Sequence, residues 1–198
     1  MKSPAFSYYE AKDLADAINV KKTDDDAVIL AGGQSLLPTL NMRLSNPSVL
    51  IDIGKIKELR EIKIEDGYLS IGAMSSHSKV MSNKDVNEAL PILCKILSQV
   101  AHPAIRNKGT HGGSIAYGDP AAELPAFAVL TNAEIILSGS DGERILSAKE
   151  FYKGLFETAI NSDEILIFSL TTNLIICALL ERLIIKLEFP GTKLVKEL

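Results

Sequence analysis

The sequence predicts an α+β fold made of two lobes. The first third of the chain alternates helical and strand patterns, which favours a partly parallel sheet. The later part carries a hairpin pattern and long amphipathic helices. The chain has 198 residues, of which 46% are apolar and 23% charged. That composition is typical of a globular protein, and the length allows one ordinary domain or two small lobes with a core.

The first lobe is predicted over residues 1–54. Leu14, Ala17 and Ile18 recur at helical spacing, which indicates an amphipathic helix over residues 10–20. The remaining elements are an acidic turn at Asp24–Asp26, a buried strand over 27–30, a short helix from Ser35 that carries Leu36, Leu40 and Met42, and a buried strand over 49–53. The acidic turn is interpreted as a solvated loop in preference to a metal site.

The second lobe is predicted over residues 55–168. The charged stretch Lys55–Lys63 marks the passage into it. Its predicted elements are strands at 68–72 and 162–168, helices at 91–101 and 121–130, and a hairpin whose strands at 134–137 and 144–146 flank a turn at 139–142.

Charge and cysteine content exclude several classes of function. The formal net charge is −4 and the basic residues are scattered among acids, so nucleic acid is not expected as a partner. Cys94 and Cys177 form no Cys-x-x-Cys pair and only three histidines occur, so the chain alone is not expected to hold zinc or an iron–sulfur cluster. Both cysteines are interpreted as buried small hydrophobes.

The hydropathy pattern predicts neither a membrane span nor a signal peptide. The longest uncharged apolar run, Leu174–Leu180, is far shorter than the roughly 20 residues that a span requires. The opening residues lack the apolar stretch of a secretory signal, so the expected location is the cytoplasm.

Two glycine-rich stretches are the candidate binding elements. The first glycine segment, residues 29–38, reads Ile-Leu-Ala-Gly-Gly-Gln-Ser-Leu-Leu-Pro and predicts a strand, a tight turn and a helix start. Gly32 and Gly33 can adopt positive φ, and Ser35 can cap the helix, whose first N–H groups form a pocket for an anion. A plain turn is the alternative. The segment contains neither Gly-x-Gly-x-x-Gly nor a P-loop.

The second glycine segment, residues 101–125, is too long and too rich in small residues for a simple connector. Thr110 and Ser114 supply hydroxyl groups on either side of Gly112–Gly113, and a predicted helix beginning at Asp119–Pro120 carries Glu123. Two such segments from separate lobes could hold one long anionic ligand between them. An irregular surface loop is the alternative.

Together the two segments resemble those of the FAD-binding subunits of molybdenum hydroxylases, the family of xanthine, carbon monoxide and nicotinate dehydrogenases. Residues 31–38 resemble the first flavin motif of that family. Residues 105–114 and 119–125 resemble the second, and the match runs from about residue 5 to about residue 167. The resemblance implies a two-lobe FAD-binding fold of the PCMH type, with a small α/β lobe and a larger lobe of mixed or antiparallel sheet and helices.

The resemblance also implies the residues that contact FAD. The first segment would hold the pyrophosphate, residues 110–114 would wrap the phosphates and ribityl chain, and Ala101 would lie on the adenine side. Glu123 would bind the flavin side, and Leu166 would pack near the isoalloxazine ring. The implied set is Ile29, Leu30, Ala31, Gly32, Gly33, Gln34, Ser35, Leu36, Ala101, Thr110, His111, Gly112, Gly113, Ser114, Glu123 and Leu166.

No catalytic acid or base is predicted. His111 stands where many relatives carry an apolar residue, and it is expected to contribute a backbone N–H group. Tyr117 is equally compatible with stacking near the flavin and with packing in a loop.

The family further implies a division of labour among subunits. A molybdopterin-binding large subunit would hydroxylate the substrate, and two [2Fe–2S] clusters on a small subunit would pass electrons to the FAD of this chain. The FAD would then reduce an external acceptor such as NAD⁺, a quinone or oxygen. The expected assembly is a dimer of heterotrimers.

The resemblance ends after Ile167. Residues 169–198 do not match the further C-terminal domain of the family, which is interpreted as missing from this chain. A truncated or frameshifted gene and a natural short variant both remain open, and residues 174–189 could form an apolar helix. Two other functions are also left open: a non-catalytic scaffold subunit, and a stand-alone flavin reductase with the same fold.

Overall fold

The first part of the molecule is a three-stranded parallel sheet covered by helices. The computed structural model describes residues 2–171. The sheet has the order β1-β3-β2, in which both neighbours of β3 run parallel to it. Its elements are β1 (Ser7–Glu10), α1 (Leu14–Thr23), β2 (Val28–Leu30), α2 (Leu36–Asn41) and β3 (Val49–Asp52). The predicted parallel sheet is confirmed.

The first strand is not among the elements predicted from the sequence, where a helix was expected from residue 10. The helix begins at Leu14 because the Asp13 side chain accepts a hydrogen bond from the Asp16 N–H group at 2.8 Å. The four residues of β1 are mostly exposed and polar or aromatic, so they lack the apolar run by which the other two strands were found.

The second part is a five-stranded antiparallel sheet of order β4-β5-β10-β6-β7. A 3₁₀ helix at Glu58–Arg60 precedes it. Its strands are β4 (Ile62–Glu65), β5 (Tyr68–Gly72), β6 (Glu134–Gly139), β7 (Gly142–Ser147) and β10 (Ile165–Thr171). The hairpin and the strand at 68–72 are confirmed, and the last strand extends past its predicted end at residue 168.

Helices and a small hairpin cover this sheet. They are α3 (His77–Ser82), α4 (Lys84–Ala89), α5 (Pro91–Gln99), α6 (Pro103–Lys108), α7 (His111–Tyr117), α8 (Glu123–Leu130), α9 (Ala148–Phe151), β8 (Tyr152–Gly154) and β9 (Glu157–Thr158). The second glycine segment therefore contains two complete short helices, which were not predicted, and the alternative of an irregular surface loop is wrong. Pro103 opens α6, and Thr110 caps α7 by accepting a hydrogen bond from the Gly113 N–H group at 3.2 Å.

Two hydrophobic clusters stabilise the molecule. One lies inside the second part and packs α3, α4, α5, α7 and α8 on the five-stranded sheet. The other joins both parts, because Ala17 and Ile18 of α1 pack in one cluster with Ile165 and Ile167 of β10. This shared core fixes β2 and β10 on two sides of the same cleft.

The remaining predictions concern the cysteines, membrane spans and metal sites. Cys94 is free and only partly buried, and burial raises its pKa. Within residues 2–171 no helix has the length and hydrophobicity of a membrane span, and no cluster of His, Cys, Asp or Glu is suited to a metal ion. Cys177 and the predicted apolar helix at residues 174–189 lie outside the described residues.

Candidate functional site

A single cleft of about 400 Å³ brings the two glycine segments together. From the predicted set, its lining includes Ile29, Ala31, Gly32, Gly33, Gln34, Ser35, Leu36, Thr110, Gly112, Gly113, Ser114, Glu123 and Leu166. Leu30, Ala101 and His111 are the predicted residues that do not line it. The two segments, more than 60 residues apart in sequence, thus share one cavity.

Glycine is required where the two segments touch. A Cβ atom on Gly32 would lie 2.3 Å from the carbonyl oxygen of Lys108 and 2.8 Å from the Cα of Gly109, both backbone atoms. A Cβ atom on Gly113 would lie 3.3 Å from the Cβ of Ala31. A side chain at Gly32 would push the segments apart, so this glycine closes the floor of the cleft.

The turn of the first segment exposes a row of backbone donors. Gly33 has a φ of 69°, and the N–H group of Leu37 donates to its carbonyl. In the described part of the chain, the N–H groups of residues 32–36 have no acceptor. Unpaired N–H groups beside a cavity attract an anion, and a phosphate is the anion that such turns commonly bind.

Two details of the first segment differ from expectation. Ser35 occupies the N-cap position of α2, but within residues 2–171 its side chain makes no capping bond; its own backbone is already helical, with φ −102° and ψ −44°. Leu30 packs behind the turn, since its Cδ1 lies 3.3 Å from the Cβ position of Gly33. The amide of Gln34 donates to the carbonyl of Gly32 at 3.0 Å and braces the turn.

In the second segment, His111 and Gly112 are used for packing. The N–H groups of these two residues donate to the carbonyls of Ser75 and Ala73, each at 2.9 Å. The expected backbone contribution of His111 to the ligand is therefore wrong, because that donor is already engaged. The imidazole is buried, and its Nε2 lies 2.7 Å from the Ser169 Oγ, away from the cleft.

His77 lines the cleft but is not among the residues predicted from the sequence. Its side chain is 4% exposed, it lines the cleft, and its Nδ1 has no partner among the described residues. Burial and the nearby Arg106 lower its pKa to about 4, so the ring is neutral at pH 7. Burial, with a smaller effect of His77, lowers the pKa of His111 to about 3. No local pattern around Ser76–Ser78 distinguishes His77 from a surface histidine.

One end of the cleft carries carboxylates. Glu123, at the start of α8, and Asp119 both line it. The carboxylate of Glu164 accepts two hydrogen bonds from Arg144, at 2.9 and 2.6 Å, and one from the Asn161 N–H group at 2.8 Å. Burial opposes ionisation of this group, but the hydrogen bonds hold its pKa below the usual value, so Glu164 is a paired anion.

The lining also includes an aromatic residue, Tyr117, and the residue that precedes Ala101. Tyr117 is about one third exposed, lines the cleft and meets the ring of Phe156 edge to face at a centroid distance of 5.4 Å. Ala101 is exposed with a φ of 41°, and the neighbouring Val100 lines the cleft in its place.

The fold and this cleft define a class of proteins, which the family comparison identifies. Residues 4–168 match the family of the FAD binding domain in molybdopterin dehydrogenase. The chain belongs to this family of oxidoreductase domains, which confirms the resemblance found in the two glycine segments.

Curated relatives agree with that assignment. The chain is 40% identical over 168 residues to the 6-hydroxypseudooxynicotine dehydrogenase complex subunit alpha of Paenarthrobacter nicotinovorans, covering 84% of this chain and 57% of the relative. It is 36% identical over 165 residues to the carbon monoxide dehydrogenase medium chain of Hydrogenophaga pseudoflava, covering 83% and 58%. The chain thus spans less than two thirds of the length of these relatives.

Solved structures share the fold. Quinoline 2-oxidoreductase from Pseudomonas putida 86 matches with a TM-score of 0.85 and 43% identity, covering 87% of this chain and 60% of the other. Carbon monoxide dehydrogenase from Hydrogenophaga pseudoflava matches with a TM-score of 0.85 and 36% identity over the same shares. The predicted α+β fold class is confirmed.

The residues present fit FAD. The cleft offers a row of free N–H groups for a diphosphate and hydroxyl groups from Thr110 and Ser114. Its polar end carries Glu123, and its apolar wall includes Leu166. The close contact between Gly32 and the backbone of Lys108 and Gly109 holds the two segments together beside this cleft.

Proposed function

We propose that this chain is the FAD-binding, electron-transferring part of a molybdopterin-dependent hydroxylase complex. The observation that carries the proposal is the shared cleft, in which Gly32 closes against Gly109 and residues 32–36, whose N–H groups have no acceptor among the described residues, form part of the lining. The family match and the relatives, which are subunits of dehydrogenase complexes, support it.

Each part of the cleft has a proposed role toward FAD. The N–H groups of residues 32–36 bind the diphosphate, and the hydroxyls of Thr110 and Ser114 bind the phosphates and ribityl chain. Glu123 accepts hydrogen bonds on the flavin side. Leu166 packs near the isoalloxazine ring, and Val100 takes the adenine-side position that was expected of Ala101. His77, which is buried and neutral, packs against Gly109 at the edge of the cleft.

FAD supplies the redox chemistry when bound, and the chain binds it, orients it and excludes water. The reaction requires no acid or base from the described residues. Electrons would arrive from two [2Fe–2S] clusters on a small subunit, after hydroxylation on a molybdopterin-binding large subunit, and leave to NAD⁺, a quinone or oxygen. We expect a dimer of such heterotrimers, located in the cytoplasm.

The direct test is ligand discrimination by the purified 198-residue chain. If the free N–H groups bind a diphosphate, FAD binds at least about tenfold more tightly than FMN, and riboflavin binds most weakly, because each loses phosphate contacts. Fluorescence quenching and calorimetry would measure the three dissociation constants. Equal affinity for FAD and riboflavin, or a colourless chain that ignores added FAD, would contradict the proposal.

Reconstitution separates this role from the alternatives. Mixing the FAD-loaded chain with large and small partner subunits should restore electron transfer to an external acceptor. A scaffold subunit would assemble without restoring transfer. A stand-alone flavin reductase would oxidise NADPH without partners in the presence of a sugar-nucleotide substrate.

A further inference from the structure

His77 is a buried histidine whose ring has no hydrogen-bond partner in the fold. It is 4% exposed, and within residues 2–171 neither of its ring nitrogens is hydrogen-bonded. A polar group that leaves water without gaining a partner destabilises the protein, so a buried orphan calls for a ligand or an ordered water. The ring lines the cleft, and the cleft is therefore the place from which its partner would come.

His111 differs from His77 in both of these respects. Its Nδ1 also has no partner among the described residues, but its Nε2 lies 2.7 Å from the Ser169 Oγ. It is 3% exposed and does not line the cleft. The polar pairing of His111 is thus met within the fold, whereas that of His77 is left open toward the ligand space.

His77 lies where the two glycine segments touch. Its backbone N–H group donates to the Gly109 carbonyl at 3.0 Å. A Cβ atom on Gly109 would lie 3.0 Å from the ring Nε2, and a Cβ atom on Gly32 would lie 2.8 Å from the Cα of Gly109. Gly109 therefore packs against both the imidazole and the turn of the first segment. The ring is one residue away from the N–H groups of residues 32–36, the proposed diphosphate site.

This position does not depend on the direction in which a dinucleotide lies in the cleft. The diphosphate is the middle of such a molecule, so it meets the turn of residues 32–36 in either orientation. A polar group beside that turn therefore meets phosphate oxygens, whichever ring system lies at which end of the cleft.

The ring can act as an uncharged donor. Burial and the nearby Arg106 lower its pKa to about 4, so at pH 7 it carries one N–H group and one lone pair. Nδ1 is sealed from solvent, which leaves Nε2, beside Gly109, as the nitrogen available to a ligand. Phosphate oxygens accept hydrogen bonds, and a charged acceptor makes such a bond stronger.

We propose that His77 binds the diphosphate of the dinucleotide through a hydrogen bond donated by its Nε2–H group. The inference rests on the proposed function, since it assumes that a diphosphate occupies the turn of the first segment. It assigns to α3 a donor that neither glycine segment contains. The start of this helix is fixed by Ser76, whose side chain accepts from the Lys79 N–H group at 3.2 Å.

The first test measures ligand affinities of the full chain by calorimetry. His77→Phe keeps a planar ring but removes both nitrogens, so the affinities for FAD and for ADP should each fall about tenfold. Riboflavin has no diphosphate, and its affinity should not change. Glutamine carries an N–H donor, so His77→Gln should retain most of the affinity for ADP.

His111→Leu is the matched control. This variant also removes a buried imidazole, but one that does not line the cleft, so its affinity for ADP should equal that of the unaltered chain. Urea denaturation shows the folded fraction of each variant, so that affinities are compared between folded chains.

A second test needs no substitution and so does not depend on the folding of a variant. In NMR spectra of the ring nitrogens of the unaltered chain, ADP should shift the Nε2 resonance of His77 by much more than that of His111. An unshifted His77 resonance in the ADP complex would overturn the inference. So would an affinity for ADP that His77→Phe leaves unchanged, or equal losses for ADP and riboflavin. If the unaltered chain bound neither FAD nor ADP, the proposed function would fail, and this inference with it.

Discussion

The two glycine pairs have the same sequence but serve different physical needs. Gly32–Gly33 lies in a turn, where Gly33 has a φ of 69° and Gly32 touches the backbone of the other segment. Gly112–Gly113 lies inside the first turn of α7 with ordinary helical backbone. There Gly112 is needed because a Cβ atom would lie 2.4 Å from the Cβ of Ala73.

This difference shows that a glycine pair alone does not identify a phosphate loop. The backbone donors of the first pair have no acceptor among residues 2–171, whereas those of the second pair donate hydrogen bonds to Thr110 and Ala73. In the second segment, the N–H groups of His111, Gly112 and Gly113 serve the fold, and the groups that remain for a ligand are the hydroxyls of Thr110 and Ser114.

The strongest test of the comparison is Gly32→Ala. The new Cβ atom meets backbone atoms at 2.3 and 2.8 Å, which cannot rotate away, so we expect a loss of about 3 kcal/mol in the free energy of unfolding. FAD affinity should fall as well, because the segments must separate. Urea denaturation and FAD titration measure the two effects. Gly67→Ala is a control with positive φ but no atom within 4 Å; a loss as large as that of Gly32→Ala would refute the packing argument.

Acid should weaken the second segment more than the first. His77 and His111 pack beneath it, with pKa values of about 4 and about 3 against 6.5 for an ordinary histidine. At pH values between the lowered pKa of the folded chain and the ordinary pKa of 6.5, the unfolded chain binds more protons than the folded chain. Stability is therefore fully present above pH 6.5 and is lost as the pH falls, by about 2 kcal/mol between pH 7 and 5.5.

Denaturation midpoints at pH 7.5, 6.5 and 5.5 would measure this dependence. His77→Asn should remove about half of it, although the variant is itself less stable. His102→Asn should leave the slope unchanged, because His102 is exposed. If the stability of the His77 variant depended on pH as strongly as that of the unaltered chain, the buried ring of His77 would not be the source of the pH dependence.

The parts of the fold that could be predicted from sequence are those set by local chemistry. The apolar run at Val28–Leu30 followed by Gly32–Gly33 gives a strand and a turn whatever surrounds it. The hairpin around Gly142 is equally local. The helix α7 was missed because Gly112 and Gly113 have low helix propensity, which its hydrogen bonds to Ala73 and Ser75 outweigh. The helix α6 has only six residues, too few to show a helical hydrophobic period.

The parts of the site that could not be predicted come from distant elements. Lys21 and Lys22 are neighbours on one polar helix, and only the packing of α1 against β10 directs the first into the cleft. Glu164 reaches the site by way of its bonds to Arg144 on β7. Such positions depend on strand pairing across the sheet, and no spacing along the chain encodes them.

The smallest effect on stability is expected from Gly113→Ala. This variant also contrasts most sharply with Gly112→Ala in the same helical turn. Its Cβ atom would lie 2.7 Å from the Oγ1 of Thr110, so that side chain must rotate and the α7 cap weakens. The lost cap costs about 1 kcal/mol, but alanine recovers nearly as much in a helix, so the net change in stability should be under about 1 kcal/mol. The methyl group points across the cleft toward Ala31, so FAD affinity should still fall by about tenfold.

Gly112→Ala, one residue away, should instead act mainly on stability. Its methyl group meets the Cα and Cβ of Ala73 at 2.5 and 2.4 Å, so we expect about 2 kcal/mol of destabilisation. Thermal denaturation and FAD titration of both variants would separate the two roles. If Gly113→Ala proved the less stable of the two and kept full FAD affinity, the assignment of Gly112 to packing and of Gly113 to the cleft would have to be reversed.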